Sequence, residues 1–253
     1  FATRLEIGDL AFIPISALKG DNVVERSPSM PWYTGPTLLS HLENLYIASD
    51  RNLVDCRLPV QYVIRPRDDQ HHDYRGYAGQ IAGGVWRSGD PVVVLPSGLE
   101  TTVAALEGPR GPVEEAFAPM SVVVRLADDV DVGRGDLLAR PGNQPTVTQD
   151  LEATVCWMVD RPLVPGAKYW LKHTTRSVRA VVKDLRYRID VNTLHREEGV
   201  ASLALNEIGR VTLRTTSPLM VDPYRRNRTT GSFILIEDAT NTTAGAGMVL
   251  APG

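Results

Sequence analysis

The sequence predicts a mainly β fold: two consecutive antiparallel β-barrels preceded by a small α/β segment. Three observations predict it. From residue 55 onward apolar side chains recur with period two in short runs, as in Leu58, Val60, Tyr62 and Ile64. Glycine and proline turns such as Gly108-Pro109-Arg110-Gly111-Pro112 separate those runs. A helical period of leucines appears only earlier, over 36–45.

Residues 1–47 come first and differ from the rest. Ala11-Phe12-Ile13-Pro14-Ile15 is an apolar run that fits a short buried strand, and 16–22 follows as a polar loop. Over 36–45 a helix is expected, capped by Thr34 or Gly35, with Pro36 in its first turn and Leu38, Leu39, Leu42 and Leu45 in one stripe. Helices shorter than about 12–15 residues are marginal in water, so these leucines need a surface to lean on. Each would forfeit about 1.5–3 kcal/mol if left exposed. Strand, loop and helix together read as the last βα piece of a larger α/β domain, and the start at Phe1 reads as that of a fragment.

The stretch 75–96, RGYAGQIAGGVWRSGDPVVVLP, organises the β region. Tyr77, Gly79, Ile81, Gly83 and Val85 alternate with Ala78, Gln80 and Ala82; after Arg87-Ser88-Gly89-Asp90 comes the β-branched run 92–95. The two halves are expected to pair as a hairpin, with glycines 76, 79, 83 and 84 giving the bends that curl a small sheet. Strand patterns at 99–106, 121–126 and 136–139 complete a first barrel over 55–145. The segment 140–150, with Pro141, Gly142 and Pro145, reads as a linker. Runs at 151–157, 168–173, 177–184, 200–206, 210–215, 232–237 and 248–250 then make a second barrel over 149–253.

Composition narrows the function classes. Of the 253 residues 43% are hydrophobic and 23% charged, which supports a packed core and excludes a disordered chain. A net charge of −3 argues against a surface given over to nucleic acid. Cys56 and Cys156 lie far apart with no ligand pattern beside them and are expected to be small buried hydrophobes. No apolar run reaches the roughly 18 residues that span a bilayer, and the start lacks a signal-like pattern, so the expectation is a cytoplasmic protein without a membrane partner.

Three stretches carry a family resemblance. Residues 13–22, Ile-Pro-Ile-Ser-Ala-Leu-Lys-Gly-Asp-Asn, resemble the last guanine-binding loop of a GTPase. The pattern 61–66, Gln-Tyr-Val-Ile-Arg-Pro, followed by Tyr74-Arg75-Gly76-Tyr77-Ala78-Gly79 is similar to the second domain of translation-factor-type GTPases, in particular of the large subunit of bacterial sulfate adenylyltransferase. Leu205-Asn206-Glu207-Ile208-Gly209-Arg210-Val211 and the stretch 222–236, DPYRRNRTTGSFILI, resemble its third domain.

The resemblance implies that 1–47 is the end of a GTPase domain and that the barrels are of translation-factor domain 2 and domain 3 type. It implies a subunit that uses GTP, with Mg, to drive formation of adenosine 5'-phosphosulfate from ATP and sulfate. The partner it implies is a small catalytic subunit of the ATP-pyrophosphatase type, and in some members an adenylylsulfate kinase is fused after the second barrel. Ser16, Ala17 and Leu18 would touch the guanine.

The chain departs from the family pattern at the phosphates. It contains no Gly-Lys pair for a phosphate cradle and no Asn-Lys-x-Asp motif, so GTP is not expected to be bound or hydrolysed by this segment alone. No catalytic residue and no metal ligand is assigned. Asp73-Tyr74-Arg75-Gly76 has the D-x-x-G spacing of a phosphate-sensing switch but precedes a barrel strand, and is read as chance. His71 and His72, near Asp68, Asp69 and Asp73, would point to opposite faces of an extended segment and read as a solvated loop. Arg186, Arg188 and His195, and Arg225, Arg226 and Arg228, are accompanied by carboxylates and read as salt-bridge groups; the alternative is an RNA-binding barrel module of an elongation-factor-like GTPase. Trp86, Trp157 and Trp170 are expected to pack the barrels, and His41 and His173 have no evident partner.

Overall fold

The computed structural model describes residues 10–45, 51–66 and 74–252. The chain divides into two compact units, Phe1–Asp50 and Arg51–Gly253.

In the first unit the strand expected over 11–15 does not form. Pro14 has no N–H to donate to a ladder, Phe12 is 77% exposed, and the pairing that exists is a Ser16–Asp21 bridge just beyond. Helix α1 (Leu38–Asn44) is shorter than expected, and its cap is Thr37 in place of Thr34 or Gly35. The Thr37 hydroxyl accepts from Ser40 N at 3.3 Å, while the amides of Leu38 and Leu39 donate to the carbonyls of Asn22 and Val23. Three of the donors a helix start leaves over are thereby satisfied. The leucine stripe is there, yet Leu39, Leu42 and Leu45 are exposed within the unit.

The second unit begins with β1 (Arg57–Pro59), β2 (Tyr62–Ile64), β3 (Gly76–Gln80), β4 (Val85–Arg87) and β5 (Pro91–Leu95). Next come β6 (Leu99–Gly108), β7 (Gly111–Val113), β8 (Glu115–Phe117), β9 (Ser121–Leu126) and β10 (Leu137–Ala139). Their main sheet runs β1-β10-β5-β6-β9-β3-β2, with β7 on β6, and β4 pairs separately with β8. The sheet curls until β1 returns beside β3, where a single Arg57–Gly83 bridge ties β1 to the segment that follows β3. Gly79 permits this closure, because a Cβ there would lie 2.4 Å from the Pro59 carbonyl oxygen.

The hairpin expected within 75–96 is not made. β3 pairs with β2 and β9, and β5 with β6 and β10, because β4 leaves the wall to pair with β8. The run 92–95 is continuous and not alternating because both faces of β5 are covered. Val92 and Val94 enter the first core with Trp86, Leu106 and Leu138, while Val93 and Leu95 pack with Leu137, Ala139 and Met220 of the second barrel.

That second barrel is built from β11 (Thr146–Trp157), β12 (Lys168–His173), β13 (Arg176–Ile189), β14 (Arg196–Glu198), β15 (Ile208–Val221), β16 (Ser232–Ile236) and β17 (Thr243–Pro252). The order β12-β16-β17-β11-β15-β13 closes on itself through β12–β13 pairing, with β14 an addition on β13. Register shifts at Val182/Asp184 and Leu185/Tyr187 bend the long β13 enough to close the ring. Inward positions of β11 alternate strictly: Leu151, Ala153, Val155 and Trp157 are buried. Trp157 meets Tyr169 edge to face at 5.4 Å and donates its indole N–H to the Arg161 carbonyl at 2.7 Å.

Two further expectations change here. Residues 200–206 are not a strand; Leu203 makes one bridge to Leu163, since the stretch must cross the barrel end to start β15. The expected linker shrinks to 140–145, because β11 already starts at Thr146.

Candidate functional site

The loop carrying Ser16, Ala17 and Leu18 is a compact turn built on Asn22. Asn22 is 1% exposed and adopts a positive φ of 56°, which its short polar side chain tolerates. Its Nδ2 donates to the Pro14 carbonyl at 2.9 Å and its Oδ1 accepts from Ser27 N at 2.8 Å, tying both sides of the turn together. Ser16 O accepts from Gly20 N at 2.8 Å, and Ser16 N donates to Asp21 O at 3.2 Å. Ala17 and Leu18 stand at the apex, Leu18 being 96% exposed. The turn therefore presents 16–18 outward with a fixed backbone. Asn22 was not singled out from sequence, although Asn at a turn of this kind is a usable signal.

The densest polar constellation lies inside the second unit, at the junction of the two barrels. Arg57, fully buried on β1, donates from Nε and Nη2 to the two oxygens of Asp222 at 2.8 and 3.0 Å, and from Nη1 to the carbonyls of Cys56 (2.8 Å) and Asn143 (2.6 Å). Asp222, 2% exposed just after β15, also accepts from the Thr230 hydroxyl at 2.7 Å. A second pair lies beside it: Arg226 donates to both Asp55 oxygens at 2.8 and 2.6 Å. The guanidinium of Arg226, helped by the Asn52 amide and opposed by burial, holds the Asp55 carboxyl well below the usual carboxylate range. Asn227 reaches across to the Ala82 carbonyl at 2.9 Å, and Asn52 to the Arg226 carbonyl at 2.9 Å. Fork-shaped, charge-assisted bonds of this kind fix orientation as well as distance. Together with Met220 on Val93, Leu95 and Leu137, they bond the two barrels to each other within one compact unit.

His173 extends the network into the second barrel. Its Nε2–H donates to the Thr230 carbonyl at 2.8 Å while the buried Nδ1 has no partner. Burial pushes its pKa down, against a smaller upward pull from the Thr230 carbonyl. The imidazole is therefore neutral at pH 7.

The remaining sequence candidates fall elsewhere. His71, His72, Asp68, Asp69 and Asp73 lie outside the described residues, so the metal reading and the D-x-x-G reading find no geometry here; among the described residues no carboxylate, histidine and cysteine cluster could hold a metal ion. Arg188 pairs with Glu197 and Glu207, Arg186 with Asp184 and Arg226 with Asp55, so these arginines serve as salt-bridge groups. Trp86 and Trp157 pack the cores as expected. Trp170 instead lies half-buried on the outer face, stacked by Arg179 at 4.2 Å and bonded to Asp238. Cys56 is buried, whereas Cys156 is only half-buried, because it sits at an outward position of β11; both are free thiols. No helix among the described residues is long and apolar enough to cross a membrane.

The fold defines a class, that of translation-factor-type β-barrel domains. Residues 150–250 match the family model described as GTP-eEF1A C-terminal domain-like. A crystal structure of sup35 complexed with GDP superposes with a TM-score of 0.72 at 21% identity, covering 97% of this chain and 60% of that one. Within that class the chain is homologous to two groups of proteins in particular. It is 61% identical over 251 residues to a bifunctional enzyme CysN/CysC of Mycobacterium tuberculosis, covering 99% of this chain and 41% of the relative. It is 42% identical over 250 residues to sulfate adenylyltransferase subunit 1 of Pseudoalteromonas atlantica, covering 99% of this chain and 52% of the relative. The chain thus spans about half the length of the curated relatives it matches.

Proposed function

We propose that the chain is the barrel part of a GTP-hydrolysing sulfate adenylyltransferase subunit, coupling GTP turnover to formation of adenosine 5'-phosphosulfate from ATP and sulfate. In this reading 1–47 ends a GTPase domain, and 55–145 and 149–253 are domains 2 and 3. The observation that carries it is the buried Arg57–Asp222 fork between the barrels. One way a GTPase passes its nucleotide state to a distant partner is rigid-body motion of a bonded unit, and a junction so bonded suits that role.

The outward turn at Ser16, Ala17 and Leu18 suits contact of its backbone with a guanine, and these are the residues of this chain that would hold GTP. When bound, GTP supplies the free energy of its hydrolysis to the adenylation. Its phosphates and Mg would be held by residues that this chain does not contribute. The partner is a small catalytic subunit of the ATP-pyrophosphatase type, and relatives named as bifunctional CysN/CysC enzymes support a fused adenylylsulfate kinase in the whole protein.

The small subunit, titrated with this chain and separately with the full-length protein, tests the proposal. Binding by both supports a barrel scaffold for the partner. Undetectable binding by this chain alongside tight binding by the full-length protein would assign the interface to the GTPase domain and overturn it.

A further inference from the structure

We infer that the first barrel carries a site for a small molecule bearing a phosphate or sulfate ester, in the cleft lined by Arg65, Arg75, Arg125, Tyr74 and Tyr77. The cleft has a volume of about 480 Å³, within the range of small-molecule sites. Its three guanidiniums arrive from separate places: Arg65 follows β2, Arg75 precedes β3, and Arg125 lies on the neighbouring β9. Asp128 and Asp129 line the same hollow, so its three guanidiniums face two carboxylates and leave an excess of positive charge that favours an added anion.

Two of these arginines are pre-positioned. Arg125 lies 5.3 Å over the Tyr74 ring, whose hydroxyl is fixed by Glu107 at 3.0 Å. Arg75 lies 5.7 Å over the ring of Tyr77, itself anchored to the Val130 carbonyl at 3.1 Å. A guanidinium held over an aromatic ring loses little further freedom on meeting an oxyanion, whose geometry matches its donor fork.

Among the described residues, the carboxylates nearby do not saturate the cleft. Asp128 accepts a hydrogen bond from the Thr101 hydroxyl at 2.8 Å. Asp129 and Asp131 meet Arg75 from an outer loop, but their side chains are 87% and 102% exposed, so water competes for them and a ligand can replace them. Among the described residues, Arg75 Nε is buried with no hydrogen-bond acceptor. A buried cationic donor left unmatched is what a missing acceptor would leave behind. This inference does not depend on the sulfate adenylyltransferase reading.

Calorimetric titration of the 253-residue chain with adenosine 5'-monophosphate, inorganic phosphate and inorganic sulfate, at constant ionic strength, tests it. Saturable binding is expected, weakened about tenfold by Arg125→Gln and by Arg75→Gln, and unchanged by Arg161→Gln, an exposed arginine elsewhere. Asp129→Asn is expected to tighten binding several-fold, since it removes the competing carboxylate. Tighter binding of the nucleotide than of the free oxyanions assigns the site to an ester; equal binding assigns it to the oxyanion itself. If Arg75→Gln disturbs the fold, Arg125→Gln and Asp129→Asn still decide. The inference falls if none of the three ligands saturates, if Arg125→Gln binds as wild type, or if Arg161→Gln weakens binding equally.

Discussion

Replacing Arg57 by methionine tests the barrel junction most sharply. The substitution removes five donated bonds and leaves the Asp222 carboxylate 2% exposed with the Thr230 hydroxyl as a remaining partner. Breaking one side of a buried pair costs about 3–5 kcal/mol, mostly as the penalty of an uncompensated buried charge. For a unit of this size each kcal/mol shifts Tm by roughly 2–4 °C, so scanning calorimetry is expected to read a fall on the order of 10 °C. The double variant Arg57→Met/Asp222→Leu removes the stranded charge and is expected to recover about half of that loss, the orphaned carbonyls of Cys56 and Asn143 keeping the rest. A single-variant shift of under about 2 °C, or a double variant no better than the single, would refute the reasoning.

Three further outcomes are expected. Stability falls as pH drops through two windows: the unfolded chain protonates His173 near its ordinary value of about 6.5 while the folded chain keeps it neutral, and below about 3.9 the unfolded chain protonates Asp55, whose folded carboxyl resists. In both windows the unfolded state binds more protons, so Tm measured against pH should flatten near about pH 6 in His173→Leu and near about pH 3.5 in Asp55→Asn, relative to wild type. Gly83→Ala places a Cβ 2.4 Å from the Asp55 carbonyl oxygen and 2.9 Å from Asn227 Nδ2; a loss of about 1–3 kcal/mol in urea unfolding is expected, and an unchanged midpoint would show that the contact is slack. The chain by itself should release no phosphate from GTP above buffer, because it lacks a Gly-Lys phosphate cradle; measurable turnover would contradict the assignment of that chemistry to another domain.

Period-two alternation was enough to read the β architecture, because in β9, β11 and β12 one face meets a core and the other meets solvent. Pairing was not legible. The run 92–95 announced a buried strand, but its neighbours β6 and β10 are chosen by how the whole sheet closes, and nearness in sequence suggested the wrong partner. The leucines of α1 and the run 11–15 misled in the opposite way, since an apolar pattern states a demand for burial without stating where it is met.

The junction was half visible. The stretch 222–236 carries part of the third-domain resemblance, and it contains Asp222, Arg226, Asn227 and Thr230, all of which bond at the junction. Nothing local marks Arg57 as its counterpart, 165 residues earlier. An arginine in a short strand reads as a surface residue until the partner that neutralises it is brought alongside. His173 had no evident partner for the same reason, since the Thr230 carbonyl it meets lies 57 residues away.

The central claim is that the barrels pass on a nucleotide state as one rigid unit. It is tested most directly by measuring adenosine 5'-phosphosulfate formation with and without GTP, in the full-length protein mixed with the proposed small subunit, for wild type and Arg57→Met at a temperature where both stay folded. The account predicts that Arg57→Met keeps hydrolysing GTP while the GTP-dependent stimulation collapses. Stimulation equal to wild type, with the fork broken, would contradict it.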